Sequence, residues 1–301
     1  MIMKGYIIVN PFGIPGQNLH QAKRLQQEFA LKDVQAEILT DAFLRARVEK
    51  GNLYTTLNDG DFIIYLDKDK YLSGILNGLG IKTFNSHNSI RVCDDKGETY
   101  IALANKGFSL PKTQFAPMCY SNKCQIDNGF VNSLEQNIGY PMVVKTSYGS
   151  CGTGIYKVNN KQELLPVMEN LKTSPHMYQE YLGKEVGKDI RVIVIGGKAV
   201  AGMIRSNEKD FRSNIALGGK GEKIDLDSPK YSQVKTVCQD VAKTLGLDYC
   251  GVDILKGNND EPVICEVNSN AFFEGIESVT KINVAKTYAE YVINSVLGSN
   301  D

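Results

Sequence analysis

The stretch that decides the fold reads Tyr140-Pro-Met-Val-Val-Lys145-Thr-Ser-Tyr-Gly149-Ser150-Cys-Gly152-Thr-Gly154-Ile-Tyr-Lys-Val158. It predicts a strand that ends in a lysine, a loop with three glycines and a serine, and a second strand. Glycines let a backbone approach a phosphate closely, and free N–H groups in such a loop form an anion nest. The loop lacks the Gly-Lys-Ser/Thr ending of a Walker A motif, and no helix follows it as in a Rossmann turn. A flap that covers phosphates and a flexible hairpin loop both fit the pattern.

Two polar segments follow this stretch. Gln179 and Glu180 stand among apolar residues, which suggests a segment lining a base pocket where backbone groups read an adenine edge. Asp189 and Arg191 lie two residues apart on the next predicted strand, so both side chains point to one face. A solvent-exposed ion pair of little energetic weight explains those two charges equally well.

Two predicted strands near the C-terminus flank a glycine-containing turn: Cys250–Leu255 and Pro262–Asn268. If Lys256 pairs with Val263 in a hairpin, Asp253 lies opposite Glu266, and Asn268 shares the face of Glu266. Two facing carboxylates repel each other unless a cation lies between them. A set of oxygen ligands without His or Cys selects hard Mg²⁺ or Mn²⁺. The hairpin therefore predicts a metal site.

Two arginines lie between these segments. Arg205 and Arg212 could each hold phosphoryl oxygens or a substrate carboxylate through two parallel hydrogen bonds. An ordinary polar loop is an equally good interpretation of the stretch around Arg212.

Composition limits the classes of function. At about 150 residues per domain, 301 residues predict roughly two domains. Lys plus Arg and Asp plus Glu both number 34, so the net charge is zero and the basic footprint of a nucleic-acid or membrane-surface binder is missing. Seven scattered cysteines and three distant histidines argue against a disulfide framework or a zinc site, and reduced thiols fit a cytoplasmic protein. The apolar region Val192–Ile204 is interrupted by Lys198 and three glycines, too short a run to span a membrane.

The first ninety residues alternate strand and helix patterns, which predicts a parallel sheet covered by helices. The expected strands are 5–10, 35–39, 62–66 and 82–84, and the expected helices are 18–30 and 70–78. Strand 5–10 is favoured over a signal peptide. The loop Asn10–Gly16 lacks the dinucleotide fingerprint, so a proline-rich turn that lines a cleft is the preferred interpretation. Further on, helices are expected at 96–106, 231–245 and 283–297, and are sparse between 141 and 231.

Taken together, the motifs resemble the ATP-grasp superfamily and, within it, the RimK-like L-glutamate ligases. The resemblance covers about two-thirds of the chain and runs in order through the Lys96 helix, Lys145 with the Gly149–Gly154 flap, Gln179-Glu-Tyr-Leu182, Asp189-Ile-Arg191, Asp210-Phe-Arg-Ser-Asn214, Gly251-Val-Asp253-Ile, Glu266-Val-Asn268 and Glu274-Gly-Ile-Glu277. It implies a mixed α/β and α+β architecture: a Rossmann-like pre-ATP-grasp domain (1–94), a central lobe with the flap (95–182) and a C-terminal lobe (183–301).

The resemblance also implies a role for each matching residue. Contacts to ATP are expected from Lys96, Lys145, Gly149, Ser150, Gly152, Gly154, Gln179, Glu180, Tyr181, Leu182, Asp189 and Arg191, with backbone groups of Glu180 and Leu182 holding adenine. Two Mg²⁺ or Mn²⁺ ions are expected on Asp253, Glu266 and Asn268. Arg212 and Arg205 are the expected catalytic residues, and Arg205, Ser213 and Asn214 the expected substrate contacts.

The implied reaction joins a carboxylate and an amine. An acceptor carboxylate attacks the γ-phosphate of ATP, and the amino group of a glutamate-like amino acid then attacks the acyl phosphate. The family also implies a homo-oligomer, a dimer or a tetramer. Open alternatives are a ligase that uses a different amine and a non-catalytic nucleotide-binding homologue, whereas a nicotinamide-dependent oxidoreductase lacks its fingerprint.

One segment departs from the family pattern. Where RimK-like enzymes usually continue Asn-Ala-Ser-Pro-Gly-Leu-Glu-Gly, this chain has Asn268-Ser-Asn-Ala-Phe272-Phe273-Glu274-Gly275. Two aromatics replace the Pro-Gly turn beside the expected entrance for the acceptor. The acceptor is therefore expected to be a small molecule or a peptide as readily as a protein tail.

Overall fold

The computed structural model describes residues 3–13, 17–57, 59–150, 152–213, 215 and 218–298. Its N-terminal elements are β1 (Lys4–Val9), α1 (Gln17–Ala30), β2 (Gln35–Thr40), β3 (Arg47–Glu49), β4 (Asn52–Tyr54), β5 (Phe62–Leu66), α2 (Lys70–Gly78), β6 (Thr83–Phe84) and α3 (His87–Asp94). A parallel sheet of order β2-β1-β5-β6 forms, as predicted, and β3 and β4 make a separate small hairpin.

The continuous apolar runs of this sheet are buried on both faces. Every residue of β5 is buried, as are Ile7 and Ile8 of β1, which is the burial expected of central parallel strands covered by helices. Helix α1 presents Ala22, Leu25 and Phe29 to the sheet at helical spacing. The same hydrophobic cluster continues into the C-terminal helices, so the N-terminal sheet and the C-terminal part of the chain share one core.

The central part contains α4 (Lys96–Leu103), β7 (Thr113–Phe115), α5 (Asn128–Asn137), β8 (Met142–Thr146), β9 (Ile155–Val158), α6 (Lys161–Leu171) and β10 (His176–Glu180). Its antiparallel sheet has the order β7-β10-β8-β9 and a hydrophobic cluster of its own. Strands β8 and β9 form the predicted hairpin, with Lys145 paired to Ile155.

Helix α6 is the one α-helix of the described residues between 141 and 231, where helices are expected to be sparse, and it was not itself predicted. Asn160 caps it by accepting a hydrogen bond from the backbone of Glu163 (3.0 Å), and the Glu163 carboxylate accepts one from the backbone of Asn159 (2.9 Å). Pro166 lies inside the helix, and this disguised it in the sequence. Helix α4 ends three residues before the predicted Lys106, since Asn105 takes a left-handed φ of 58°.

The C-terminal part contains β11 (Lys188–Ile195), β12 (Lys198–Ser206), β13 (Lys220–Lys223), α7 (Ser232–Thr244), β14 (Tyr249–Lys256), β15 (Pro262–Asn268), α8 (Glu274–Thr280) and α9 (Val284–Leu297). Its antiparallel sheet has the order β13-β12-β11-β14-β15. The domain boundaries at 94/95 and 182/183 stay predictions. None of the helices in the described ranges is long and apolar enough to cross a bilayer.

The β14–β15 hairpin confirms one predicted pair and corrects another. Asp253 lies opposite Glu266 as predicted, but Lys256 pairs with Pro262 instead of Val263. The register shifts between Asp253 and Ile254 because Cys265 is an extra residue on β15, the two-against-one arrangement of a β-bulge.

Candidate active site

A cleft of about 820 Å³, partly open to solvent, lies between the central sheet and the C-terminal sheet. Most of the predicted site residues line it: Lys145, Gly152, Gln179, Glu180, Tyr181, Leu182, Asp189, Arg205, Arg212, Ser213, Asp253 and Glu266. Ser150, Arg191 and Asn268 line a second cavity beside it. Asn214 lies outside the described residues. We call the first space the main cleft and keep the name second cavity for the other.

The glycine flap folds back on the end of β8. The backbone N–H of Thr146 donates to the carbonyl of Gly154 (3.0 Å), and the Thr146 hydroxyl donates to the carbonyl of Tyr148 (2.6 Å). Gly154 has a φ of 72°, and a Cβ there would lie 2.3 Å from the Thr146 hydroxyl oxygen. The glycine is therefore required both for its backbone conformation and for its lack of a side chain.

Two buried lysines, Lys96 and Lys145, lie near the glycine flap. Lys96 is 9% exposed; its Nζ donates to the carbonyl of Gly149 (2.8 Å) and lies 3.4 Å from Oε1 of Glu266. Lys145 is 7% exposed, with Nζ 3.8 Å from Sγ of Cys265. Burial opposes the charge on Lys145, but attraction from Cys265, Tyr100 and Glu266 outweighs it and raises the pKa. Burial also raises the pKa of the Cys265 thiol, so at neutral pH the anion that balances Lys145 is Glu266.

The segment predicted to hold a base is anchored by its own polar groups. The Gln179 amide donates to the hydroxyl of Thr113 (2.9 Å), and the backbone N–H of Glu180 donates to the carbonyl of Lys112 (3.0 Å). The N–H of Glu180 is thus used within the fold, and contact of Glu180 and Leu182 backbone groups with adenine stays a prediction. The Tyr181 ring lies under Nζ of Lys157, 4.0 Å from the ring centroid, a contact that the sequence did not predict.

Arg212 connects the flap to the C-terminal lobe. Its Nη1 donates to the carbonyl of Gly152 (2.8 Å), and its Nη2 donates to Asp210 (2.7 Å). The guanidinium is half-buried at the cleft wall.

The suggested surface pair of Asp189 and Arg191 does not form. Each residue instead pairs with a residue on a neighbouring strand. Asp189 pairs with Arg205. Arg191 pairs with Asp253, with Nε 2.5 Å from Oδ1 and Nη2 2.6 Å from Oδ2. Arg205 also lies 2.9 Å from Asp253, so the four side chains form one buried network. Two residues that are two positions apart on one strand are separated by about 7 Å, whereas two residues directly opposite each other on adjacent strands are separated by about 5 Å. Asp189 lies directly opposite Arg205, and Arg191 directly opposite Asp253.

This network keeps Asp253 ionised. Burial opposes the charge, but Arg191 and Arg205 outweigh it and hold the pKa of Asp253 below its ordinary value. Arg205 is only 4% exposed and is already bonded to two carboxylates. These bonds use Nε and Nη2, and Arg205 lines the main cleft, so the expected contact with phosphate or substrate falls to Nη1.

A known protein family matches most of this chain. The family model for the RimK-like ATP-grasp domain matches residues 93–292. This chain belongs to the RimK-like ATP-grasp family. It is 37% identical over 223 residues to the "probable alpha-L-glutamate ligase 1" of Shewanella oneidensis, covering 73% of this chain and 69% of that protein.

Other likenesses agree with this assignment. N-acetylaspartylglutamate synthase A of Homo sapiens is 30% identical over 230 residues, 76% of this chain but only 56% of that enzyme, so the chain spans about half the length of this relative. The fold is that of the ATP-grasp ligase PsnB bound to its minimal precursor (TM-score 0.71, 18% identity, 98% and 99% of the two chains). It is also that of the ATP-bound D-alanine–D-alanine ligase of Bacillus anthracis (TM-score 0.72, 19% identity, 99% and 98%). The predicted ATP-grasp fold is confirmed.

The chemistry of three side chains fits the metal that an ATP-grasp site implies. Asp253, Glu266 and Asn268 offer only oxygen donors, which suits Mg²⁺. Oδ1 of Asp253 accepts one hydrogen bond, from Nε of Arg191, and an oxygen with two lone pairs can take a second partner. No three His, Cys, Asp or Glu side chains of the described ranges form a metal cluster by themselves. The ions would therefore depend on Asn268 and on phosphate oxygens as well.

Some residues of this RimK-like site carried no signal in the sequence. Cys265 enters the main cleft because of the bulge, and Phe211 packs edge-on against Tyr181 with ring centroids 6.4 Å apart. A bulge changes the register only where two strands meet, and nothing in the composition of either strand marks it.

Proposed function

We propose that this chain is an ATP-dependent carboxylate–amine ligase that forms an amide bond through an acyl phosphate. The observation that carries the proposal is the pairing of Asp253 with Glu266 across β14 and β15, below Lys96, Lys145 and the glycine flap. Cationic side chains and a carboxylate pair around one cleft can hold a nucleotide triphosphate together with its metal. ATP supplies the phosphoryl group, and Mg²⁺ neutralises the charge that develops on it.

In this proposal the residues of the chain act by positioning. Lys145 and Lys96 hold phosphate oxygens under the flap, and Arg212 balances charge on the transferring phosphoryl group. The acceptor carboxylate forms an O–P bond as the bond to ADP breaks. The amine then forms the C–N bond, loses a proton, and phosphate leaves. Because no side chain becomes covalently attached, catalysis rests on geometry and electrostatics.

The amine in the proposal is L-glutamate. Support comes from the names of relatives, the "probable alpha-L-glutamate ligase 1" of Shewanella oneidensis and the "beta-citrylglutamate synthase B" of Danio rerio, the latter 30% identical over 76% of this chain. A different amino acid or amine is the alternative. Mg²⁺ is supported by PsnB, whose fold matches and which was solved with Mg and ADP.

The proposal also covers the number of metal ions, the oligomeric state, the location and the ATP contacts. We propose two metal ions, which Mn²⁺ can replace, a homo-oligomeric enzyme and a cytoplasmic location. The ATP contacts proposed from the sequence, including Gly149, Ser150, Gly152 and Gly154 of the flap, are part of it too.

The test measures ADP release with Mg²⁺ and ATP over a panel of amino acids crossed with carboxylate acceptors, with product masses determined. We expect turnover only when Mg²⁺, an amino acid and an acceptor are all present, and a product heavier by one amide-linked residue. Asp253→Asn should abolish turnover, while Asp227→Asn, which changes an exposed carboxylate paired with Lys235, should keep it.

Three outcomes would contradict the proposal. Wild-type turnover in Asp253→Asn would refute the metal assignment. Transfer of phosphate to a stable product without an amino acid would indicate a kinase. Nucleotide binding without turnover for any pair of substrates would indicate a non-catalytic homologue.

A further inference from the structure

A second cavity of about 210 Å³, partly open to solvent, adjoins the main cleft. Glu266 lines both spaces, so the second cavity opens beside the proposed metal pair. Its walls come from five parts of the chain: Gly13 and Asn18, Asp67 and Lys68, Ser150 of the flap, Arg191 on β11, and a C-terminal segment that contributes Glu266, Asn268, Asn270, Ala271 and Phe272. The loop that starts at Asn10, expected to line a cleft, thus contributes Gly13 to this wall.

Lys68 brings a positive charge without a direct ion pair to this cavity. It is half-buried, and no carboxylate of the described residues lies within ion-pair distance of its ammonium group. Asp67, the neighbouring acid, is already engaged, since its oxygens accept hydrogen bonds from the Asn10 amide (3.0 Å) and the Lys68 backbone N–H (2.7 Å). Asp67 and Asp94 attract the ammonium group from beyond ion-pair distance, and an anionic ligand in the cavity would give it a direct partner.

Arg191 brings a second cationic edge from the opposite wall. Its Nε and Nη2 are bonded to Asp253, while its Nη1 has no hydrogen-bond partner in the described part of the chain. A carboxylate on Nη1 would lie next to Asp253 and hence next to the metal pair. Lys68 lies on the N-terminal wall, so an anion bound there belongs to another part of the ligand.

Two amide oxygens in the wall also lack partners. Oδ1 of Asn18 and Oδ1 of Asn270 are buried and accept no hydrogen bond. An unsatisfied buried acceptor is unfavourable, and a ligand or water that brings an N–H or O–H removes this cost. Phe272, one of the two aromatics that replace the usual Pro-Gly, lines the cavity as well, whereas Phe273 is buried in the core.

We propose that the second cavity binds the carboxylate acceptor and selects one with a second anionic group, which Lys68 holds. This inference rests on the proposed ligase function and names its acceptor class: a molecule with a reacting carboxylate at Arg191 and a further carboxylate or phosphate at Lys68. Lys68 is a specificity-determining residue and takes no part in the chemical step. The Phe272 ring forms the apolar wall beside the chain that joins the two anionic groups.

The test compares ligands that differ only in the second charge. Aliphatic dicarboxylates of increasing length, their monoamides and the matching phosphono-carboxylates are titrated by calorimetry into the full-length protein loaded with ADP and Mg²⁺. Wild type should bind the best dicarboxylate about tenfold or more tighter than its monoamide, the size expected for one charge-assisted hydrogen bond. Lys68→Met should remove this preference, and Lys68→Arg should restore most of it.

A matched control removes the same charge elsewhere. Lys23→Met changes an exposed lysine of α1 and should leave the preference intact. Where turnover is measurable, Lys68→Met should raise KM for the dicarboxylate about tenfold or more and leave KM for ATP unchanged. Tighter binding of the phosphono-carboxylates would identify the second group as a phosphate, and tighter binding of dicarboxylates would identify it as a carboxylate.

The outcomes separate this inference from the function on which it rests. Lys68-dependent binding of dicarboxylates without ADP release for any amine would support the cavity and refute the ligase. Turnover with equal affinity for dicarboxylate and monoamide, or with no effect of Lys68→Met, would support the ligase and overturn the inference. An increased KM for ATP in Lys68→Met would also overturn it, since Lys68 would then act on the nucleotide.

Discussion

The ammonium group of Lys96 donates a hydrogen bond of 2.8 Å to the backbone carbonyl of Gly149. Lys96 is the first residue of α4, and its own backbone N–H donates to the carbonyl of Ser147 at 3.0 Å. The start of one helix therefore holds the flap at two points. The same ammonium group lies 3.4 Å from Glu266, so the position of the flap is coupled to the proposed metal site.

Lys96→Met keeps the buried aliphatic stem and removes both contacts of the ammonium group. We expect KM for ATP to rise about tenfold or more, because a hydrogen bond to a charged group contributes about 1.5–3 kcal/mol. Chymotrypsin should also cleave faster after Tyr148, which is exposed on the flap. Lys70→Met is the control, since Nζ of Lys70 lies over the rings of Tyr148 at 5.5 Å and Tyr71 at 5.8 Å and donates no hydrogen bond to the flap in the described residues. An unchanged KM for ATP in Lys96→Met would show that the flap is held by other groups.

Gly154→Ala tests the close approach between the flap and β8. The new Cβ would lie 2.3 Å from the Thr146 hydroxyl oxygen, and the φ of 72° disfavours any L side chain by about 1–2 kcal/mol. We expect weaker ATP binding and a lower thermal midpoint. Gly197→Ala has a similar φ of 74° with nothing within 4 Å of the new Cβ, so it reports the backbone cost alone. Equal effects of the two substitutions would rule out the steric contact with Thr146.

Arg205→Met tests the buried charge network. The substitution leaves Asp189 and Asp253 without a shared cation, and breaking a buried ion pair costs about 3–5 kcal/mol. Urea unfolding should show this loss, whereas Lys235→Met, at the exposed pair with Asp227, should stay within about 1 kcal/mol of wild type. Adding Asp189→Asn to Arg205→Met should recover part of the stability. An unfolding midpoint equal to that of wild type in Arg205→Met would refute the network.

His176 makes stability depend on pH. Nδ1 lies 2.7 Å from the carbonyl of Ser174 and must donate to it, so Nε2 accepts from the Tyr178 hydroxyl at 2.8 Å. Burial lowers the pKa of His176 below 6.5 in the folded protein. Below about pH 6.5 the unfolded chain therefore binds more protons at this histidine than the folded protein does. The free energy of unfolding has its full value above about pH 6.5 and falls as the pH drops toward the folded pKa.

His176→Gln should flatten this part of the profile. The measurement is the thermal midpoint of wild type and variant between about pH 8 and pH 5, where the difference between the two isolates His176 from other titrating groups. We expect wild type to lose more stability than the variant as the pH falls. Parallel profiles would show that His176 takes up its proton without a cost to the fold.

Local features of this protein were predictable from the chain alone. The buried runs of β1 and β5 are continuous apolar stretches, and a strand of that composition belongs in a parallel sheet whatever follows it. The Asp253–Glu266 pair was predicted from a register that is wrong at the turn, and the pair forms because the bulge at Cys265 shifts the register by one residue. The order of the motifs was enough to identify the family.

The tertiary structure decided which charged side chains pair with each other and which residues share a cavity. Asp189 and Arg191 share a face in the sequence, but Asp189 pairs with Arg205 and Arg191 with Asp253, since the strands beside β11 place those residues nearer. The second cavity likewise brings Lys68 to Arg191 across more than a hundred residues. Side-chain alternation sets which face a residue occupies, and this is local. Which strand lies next to that face depends on how all the apolar surface of the chain is buried together, and no single segment contains that information.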